Sequence, residues 1–290
     1  MFLIEKIKKF IFSILVITAI LTWTAVYYAE AGNKALKVVF FDIGQGDSIF
    51  VETPSGHQVL IDGGPSSTVL SKLGRELAFY DRDLDMIILT HPDSDHLNGI
   101  VEVLERYNVD LILWTGIEHT TIAYQEFKNL INQKNIKTKI AMSGQIIELG
   151  QAVFYILWPS DNLENRTSYN INSTSIVAQL VYGESEFLFM GDAESRIETE
   201  LIASDFGNLQ SDVLKVGHHG SKTSTSLEFL KTIRPKASVI SCGLKNKYKH
   251  PHENTLQNLQ SINTKVFRTD LNGDVKMISN GENIHIKTGK

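Results

Sequence analysis

The stretch from Leu89 to Gly99 reads Leu-Thr-His-Pro-Asp-Ser-Asp-His-Leu-Asn-Gly and places four side chains able to bind metal, His91, Asp93, Asp95 and His96, within six residues. Packing does not call for such a cluster. Neutral imidazole and carboxylate together suit zinc, manganese or iron, and such ligands work best where a rigid strand hands over to a loop. Leu84 to Leu89 reads as a continuous apolar strand, and Leu97, Ile100, Val101 and Leu104 follow at helical spacing. The ligands are therefore expected at a strand-to-helix junction, where they would assemble a hydrolytic metal centre.

Three further segments repeat this pattern of an apolar strand ending in polar, chemistry-bearing residues. Phe187 to Met190 leads through a glycine to Asp192, a carboxylate placed to reach into a site and able to bridge two metals; the competing reading is a cap for the helix starting near Ser195. Val213 to Val216 ends in Gly217-His218-His219-Gly220-Ser221-Lys222, groups suited to binding an anion and donating a proton. Ala237 to Ser241 is followed by Tyr248-Lys249-His250-Pro251-His252, where one imidazole, taken as His250, completes the metal shell. Six of the nine histidines fall in these junctions; His57, His119 and His285 read as surface residues.

Charge narrows the partners. The chain carries a net charge of -5, and beyond residue 31 it has 25 basic against 31 acidic side chains, which excludes a wholly basic nucleic-acid coat. Lys215 to Lys249, however, holds eight basic residues against Glu228 alone, so an anionic ligand is attracted there. The single cysteine, Cys242, allows no internal disulfide. Lys6, Lys8 and Lys9 precede an apolar run from Phe10 to Val26, and Ala29-Glu30-Ala31 follows with small-x-small spacing. Residues 1–31 thus read as a signal peptide or signal anchor, and the remaining domain, 36–290, as extracytoplasmic.

Strands at Leu36 to Phe41, Ser48 to Thr53 and Gln58 to Asp62 read as a meander turning at Pro54-Ser55-Gly56, and others at Leu111 to Trp114, Ala152 to Trp158 and Ile176 to Tyr182. Helices are expected at Ile122 to Gln133, Ser195 to Ile202 and Leu227 to Ile233, and a terminal hairpin around Asn280-Gly281. Two groups of strands interspersed with helices predict an α/β fold of two mixed sheets face to face with helices outside, an αββα four-layer sandwich.

The motifs, in order, are Asp42-Ile43-Gly44-Gln45-Gly46-Asp47, Leu60-Ile61-Asp62-Gly63-Gly64, His91 to His96, Asn172 to Val177, Gly191-Asp192, His218 to Ser221 and His250-Pro251. Over residues 36–287 they resemble the metallo-β-lactamase superfamily, whose first metal motif is HxHxDH, and within it the extracytoplasmic hydrolase domain of ComEC-type competence proteins. The glycine-rich Asp42 to Asp47 alone reads as a tight structural turn. Two departures matter: Asp93 stands at the second motif position, and no histidine lies between His119 and His218, where the superfamily usually supplies a ligand. The resemblance implies two divalent ions, zinc or manganese, one held by His91, Asp93, Asp192 and an oxygen from water, Asn172 or Ser175. The other is held by Asp95, His96, Asp192 and His250. Fewer imidazoles make the first site the weaker.

The implied chemistry is metal-assisted hydrolysis in which Asp95 orients the nucleophile and His218 or His219 protonates the leaving oxygen, while Ser221, Lys222, Asn172 and Ser175 contact substrate. The implied function is a phosphodiesterase or nuclease acting on DNA outside the cytoplasmic membrane, in DNA uptake or competence. One hydrophobic segment cannot form a DNA channel, so a separate uptake channel would be the partner, with the chain itself monomeric. Two alternatives stand beside it: a hydrolase of envelope or small esters, such as phosphorylcholine esters, lactones or β-lactams, and a non-catalytic binding protein.

Overall fold

The apolar run near the N-terminus forms one helix, Phe2–Ala31 (α1). Its stretch Glu5–Thr24, with mean hydropathy 1.7, is long and apolar enough to cross a membrane by length and composition. Phe10, Leu15 and Trp23 are exposed on it. The computed structural model describes residues 2–31, 35–168, 170–204 and 209–290.

From Leu36 onward a second unit begins. Leu36–Phe40 (β1), Ile49–Glu52 (β2) and Gln58–Ile61 (β3) form the antiparallel meander expected from the turn between them. Beyond Thr68–Glu76 (α2), Asp83–Ile88 (β4), Asn108–Trp114 (β5) and Lys137–Ile140 (β6) join in parallel through Ser94–Arg106 (α3) and Ile122–Lys134 (α4). A second sheet starts antiparallel with Ile146–Leu149 (β7), Ala152–Trp158 (β8), Val177–Tyr182 (β9) and Ser185–Phe189 (β10). Ser195–Ala203 (α5), Val213–Lys215 (β11), Leu227–Ile233 (α6), Ala237–Ile240 (β12), Glu253–Ser261 (α7) and Lys265–Arg268 (β13) complete it in parallel. After Thr269–Asn272 (α8), the hairpin Val275–Ser279 (β14) and Ile284–Thr288 (β15) returns to pair with β1. The orders are β15-β14-β1-β2-β3-β4-β5-β6 and β13-β12-β11-β10-β9-β8-β7.

Period-two alternation along the strands sorts side chains into three buried layers. Val38, Phe40, Ile61, Met86 and Ile88 meet Phe154, Leu180, Phe187, Phe189 and Val239 between the sheets. The alternate residues Val39, Phe50, Leu60 and Ile87 pack against Leu73, Leu97, Ile100 and Phe127 of α2, α3 and α4. On the far side Leu188, Leu214 and Ile240 pack against Ile197, Leu201, Phe229 and Leu259. The result is the four-layer αββα sandwich. Phe40 and Phe189 meet across the sheets with ring centroids 6.2 Å apart, and truncating either to alanine should cost about 3–5 kcal/mol.

Several elements carry no clear sequence signal. β6 is an edge strand whose Lys137 and Lys139 lie exposed, so apolar alternation is absent and the lysines guard the open edge. In α7, Glu-Asn-Thr-Leu-Gln-Asn-Leu-Gln-Ser offers only two apolar residues to a helical stripe. The useful regularity is that the junctions after β1, β3, β4, β10, β11 and β12 hold the residues that assemble the site.

Candidate metal centre

The strand β4 delivers His91 and α3 begins at Ser94, so the four residues of the first motif straddle the junction. Asp93 is the residue before the helix, but its side chain makes no capping bond. Its carboxylate is left facing His91 Nε2 at 3.7 Å. One turn in, His96 is fully buried and its Nε2 lies 3.5 Å from Asp192 Oδ1. The first turn of α3 is clamped onto the end of β3 by Gly63 N donating to His96 O at 2.7 Å and Gly99 N donating to Gly64 O at 2.9 Å. A Cβ at Gly99 would stand 1.8 Å from Gly63 O, so only glycine allows this approach.

Asp192 occupies the centre. Its Oδ2 is 4.0 Å from His91 Nε2, 3.8 Å from His218 Nε2 and 3.4 Å from His219 Nε2. It does not cap α5, whose preceding residue is Glu194. His219 Nε2 also lies 3.3 Å from Asp95 Oδ2. Both His218 and His219 have left-handed backbones, φ 46° and 52°. Non-glycine residues held there cost of order 1 kcal/mol or more each, and the turn is tied by His218 N to Gly191 O at 3.1 Å and Ser224 Oγ to Gly217 O at 2.7 Å. Among the described residues, four groups of donors have ligand atoms mutually within 4.8 Å: His91–His96–Asp192, Asp95–His96–His219, Asp47–Asp62–His96 and Asp47–Asp192–His219.

The rear nitrogens of these imidazoles are all engaged. His96 Nδ1 lies 2.8 Å from Asp62 Oδ2, and Asp62 also accepts from Thr90 N and Thr90 Oγ1. His219 Nδ1 faces Ser241 O at 3.0 Å and Asp47 Oδ1 at 3.3 Å. His91 Nδ1 meets Thr90 Oγ1 at 3.0 Å and Ser175 Oγ at 3.3 Å. Such backing fixes each ring with its other nitrogen turned inward. Among the described residues, His91 Nε2, His96 Nε2, His219 Nε2 and Asp192 Oδ1 are buried without a hydrogen-bond partner. Buried polar atoms are rarely orphaned, so a converging set of three imidazole nitrogens and a carboxylate oxygen fits a divalent cation.

Electrostatics in the metal-free site follow from this crowding. Burial works to lower the pKa of His96, but the Asp192 and Asp62 carboxylates prevail and hold it well above the ordinary imidazole value. His219 behaves alike, with Asp192 and Asp47 overcoming burial. Against burial, which would raise it, Asp192 is held well below the carboxylate range by His219 and His96. His250 moves the other way, pushed down to about 4 by burial and by His219, His218 and His252.

The geometry rearranges several sequence expectations. His219, expected as a proton donor, sits among the ligand atoms; His250, expected as a ligand, lines the same cleft with its ring centroid 6.3 Å from that of His219 and, among the described residues, its Nδ1 is buried without a hydrogen-bond partner. Ser175, expected to contact substrate, is fully buried and accepts from Asp192 N at 3.1 Å. Ser221 is buried against Thr223, and Lys222 is exposed outside the cleft lining. Asn172 does line the cleft, 3.4 Å from His218 Nε2. His218 is partly exposed there, its Nδ1 3.4 Å from Glu194 Oε1. Lys215, counted with the basic segment, is fully buried in an ion pair with Asp47 and is no surface cation.

Four contributors escaped the sequence reading. Asp62 and Asp47 orient His96 and His219 from loops far away in sequence, and the turn before Asp47 is pinned because a Cβ at Gly46, φ 137°, would meet Asp95 O at 2.2 Å. The turn reading of Asp42 to Asp47 is therefore incomplete, since the turn serves the site. Glu194 faces His218, and His119, read as a surface histidine, points Nε2 at Asp93 Oδ1 from 3.9 Å. A carboxylate directly past β3 was the available signal for Asp62, and one just before β2 for Asp47.

Two face-to-face mixed sheets with a His/Asp cluster at their strand ends define a hydrolase fold of the metallo-β-lactamase type. The sequence profile of the Metallo-beta-lactamase superfamily matches residues 41–132 and 165–244, and the chain belongs to that superfamily. ComE operon protein 3 of Bacillus subtilis (strain 168) is 32% identical over 259 residues, 83% of this chain and 32% of that protein. Competence protein ComA of Neisseria gonorrhoeae is 32% identical over 242 residues, likewise 83% of this chain and 32% of that one. The chain thus spans about a third of the length of the curated relatives it matches. Exodeoxyribonuclease WalJ of Streptococcus pneumoniae serotype 2 is 33% identical over 79 residues, 26% of this chain and 29% of its own length. Among solved structures, the metallo-beta-lactamase fold protein YhfI from Bacillus subtilis shares the fold at a TM-score of 0.55 and 14% identity, covering 83% of this chain and 99% of that one.

Proposed function

We propose that this chain is a metal-dependent phosphodiesterase acting on DNA outside the cytoplasmic membrane. The observation that carries the metal-dependent part is the ring of partnerless inward atoms on His91, His96, His219 and Asp192. In this reading His91, Asp93 and Asp192 hold one divalent ion, zinc or manganese, and Asp95, His96, His219 and the shared Asp192 hold the other. Bound there, the ions supply Lewis acidity toward a phosphoryl oxygen and a water acidified enough to act as nucleophile at neutral pH.

The chain's own residues do the rest. Hydrolysis adds one water across a P–O bond and must deliver a proton to the departing alcohol oxygen. His218 is suited to that delivery, being half-open to the cleft, beside Asn172, and paired at its rear with Glu194. Thr223 donates to the same Glu194 at 2.8 Å and so steadies the pair. Asn172, beside His218 on the cleft wall, orients the substrate.

Cleft size favours a substrate that enters by a single group over an enclosed drug-sized ligand. The cavity at the cluster measures about 140 Å³, whereas pockets that enclose a drug-sized ligand run to roughly 300–1,000 Å³. A phosphodiester group fits inside while its substituents remain outside. The likeness to a protein named as an exodeoxyribonuclease and to one named as a competence protein supports DNA as the substrate. Helix α1 supports attachment to, or export across, the membrane; in the proposed reading the domain is a monomer on the outer side that serves a separate uptake channel. Digestion of the domain by protease added to intact spheroplasts checks that placement.

The deciding experiment strips the full chain with chelator, restores manganese, zinc or magnesium, and follows labelled single- and double-stranded DNA beside bis(p-nitrophenyl) phosphate. DNA cleavage that returns with metal and vanishes in Asp192→Ala is the expected result. Turnover confined to carboxylic esters or lactams would overturn the proposal.

A further inference from the structure

The loop between β12 and α7 supplies what the metal cluster lacks, a surface for the rest of a nucleic-acid strand. Lys245, Lys247 and Lys249 are exposed on it at alternate positions, with Tyr248 between the last two. Tyr248 lines the cleft that contains Asp192 and His219, yet half of its surface remains open to solvent. Its ring stacks beside that of His250, centroids 5.7 Å apart and planes 23° from parallel. The His250 ring is in turn 6.3 Å from that of His219, at 31°. Tyr248 therefore stands two rings out from the cluster. The Lys247 ammonium rests over the Tyr248 ring, 4.9 Å from its centroid. The loop is shaped before any ligand arrives: Asn246 Nδ2 donates to Gly243 O at 2.9 Å and His250 O at 2.6 Å, and its Oδ1 accepts from His250 N at 2.9 Å.

An exposed aromatic ring with one lysine over it and two more exposed on the same loop is a poor packing element and a good platform for a base with flanking phosphates. Stacking on aromatic rings tolerates any base, and lysines track the backbone. We propose that Tyr248 stacks on the base adjoining the scissile phosphodiester of an unpaired strand, with Lys245, Lys247 and Lys249 holding the neighbouring phosphates. Tyr248 is thus a specificity residue for single-stranded or frayed ends, because a base inside a duplex has both faces covered by its stacked neighbours. The inference rests on the phosphodiesterase reading and names the substrate form that the site takes.

The test compares two labelled single strands, one intact and one with a single abasic position next to the cut bond, on the full metal-loaded chain. The wild type should favour the intact strand by roughly tenfold in kcat/KM, chiefly through KM, as stacking of one base implies. That preference should collapse to near unity in Tyr248→Ala and persist in Tyr248→Phe. Binding of a labelled oligothymidine to the chelated protein, followed by anisotropy across salt, should show a shallower salt dependence in the triple variant Lys245→Gln, Lys247→Gln, Lys249→Gln. DNA cleavage by the wild type with an intact-strand preference unchanged in Tyr248→Ala would overturn this inference and leave the phosphodiesterase reading standing. No DNA cleavage by the wild type would remove both.

Discussion

The two halves of the candidate centre are built from similar ligands and supported differently. Around His96 and His219 each rear nitrogen faces a buried carboxylate, Asp62 or Asp47. Around His91 the rear nitrogen meets only hydroxyls, Thr90 and Ser175, and the neighbouring Asp93 is 35% exposed. A carboxylate behind an imidazole raises its basicity and locks its tautomer, while a hydroxyl orients it with less electrostatic push. The half with Asp95, His96 and His219 should therefore bind its ion the more tightly. In the proposed two-ion reading, the atoms behind the ligands act in the same direction as the ligand count.

Removing the residue the halves share should erase the comparison altogether. Asp192→Ala should lower phosphodiester hydrolysis about a thousandfold, the size of several kcal/mol of lost transition-state stabilisation, and equilibrium dialysis should find both ions weakened.

Breaking the support behind His219 should appear first as instability. Lys215 and Asp47 form a fully buried pair, and Lys215→Met leaves Asp47 without its cation, at a cost of about 3–5 kcal/mol. Urea unfolding should detect it, and adding Asp47→Leu should recover most of the loss. A double variant as unstable as the single one would mean that the pair is not what the substitution breaks.

Behind His96, Asp62→Asn should weaken the tighter ion by about 10- to 100-fold, whereas Ser175→Ala should affect the other half by less. Metal titrations by calorimetry distinguish the two, and equal losses would end the proposed asymmetry.

Acidity acts with opposite signs on metal binding and on the metal-free fold. Since His96 and His219 keep their protons above the ordinary imidazole value without metal, a cation must displace them, and its apparent affinity should fall as pH drops. In the chelated protein those raised values give stability that is complete below about pH 6.5 and lost as pH rises through the folded pKa. Melting curves with and without metal between pH 6 and 9 should diverge accordingly.

Local clustering explains which parts were legible in the sequence. His91, Asp93, Asp95 and His96 fall within six residues, and Asp192 and His219 follow apolar strands, so each stood out as a candidate. The layers were equally readable, because alternation in β1 and β4 and the stripe on α3 impose their faces. Asp62 and Asp47 lie 34 and 172 residues from the imidazoles they back, and no local pattern records that approach. Telling His218 from His219 depends on two successive left-handed residues whose adjacent side chains meet different partners, Glu194 and Asp47, which residue identity does not encode. Lys215 looked like a surface cation because its burial is set by Asp47 on the other sheet.

The contact of Gly63 with Gly99 bears on how variation in this protein should be interpreted. These two residues have no side chain to offer, yet a single methyl at Gly99 would pry α3 from β3 and shift His96 relative to Asp62. In a saturation-mutagenesis map scored by activity they would rank with the ligands, and a sequence survey for inactive relatives that checked only histidines and aspartates would pass proteins whose centre cannot close.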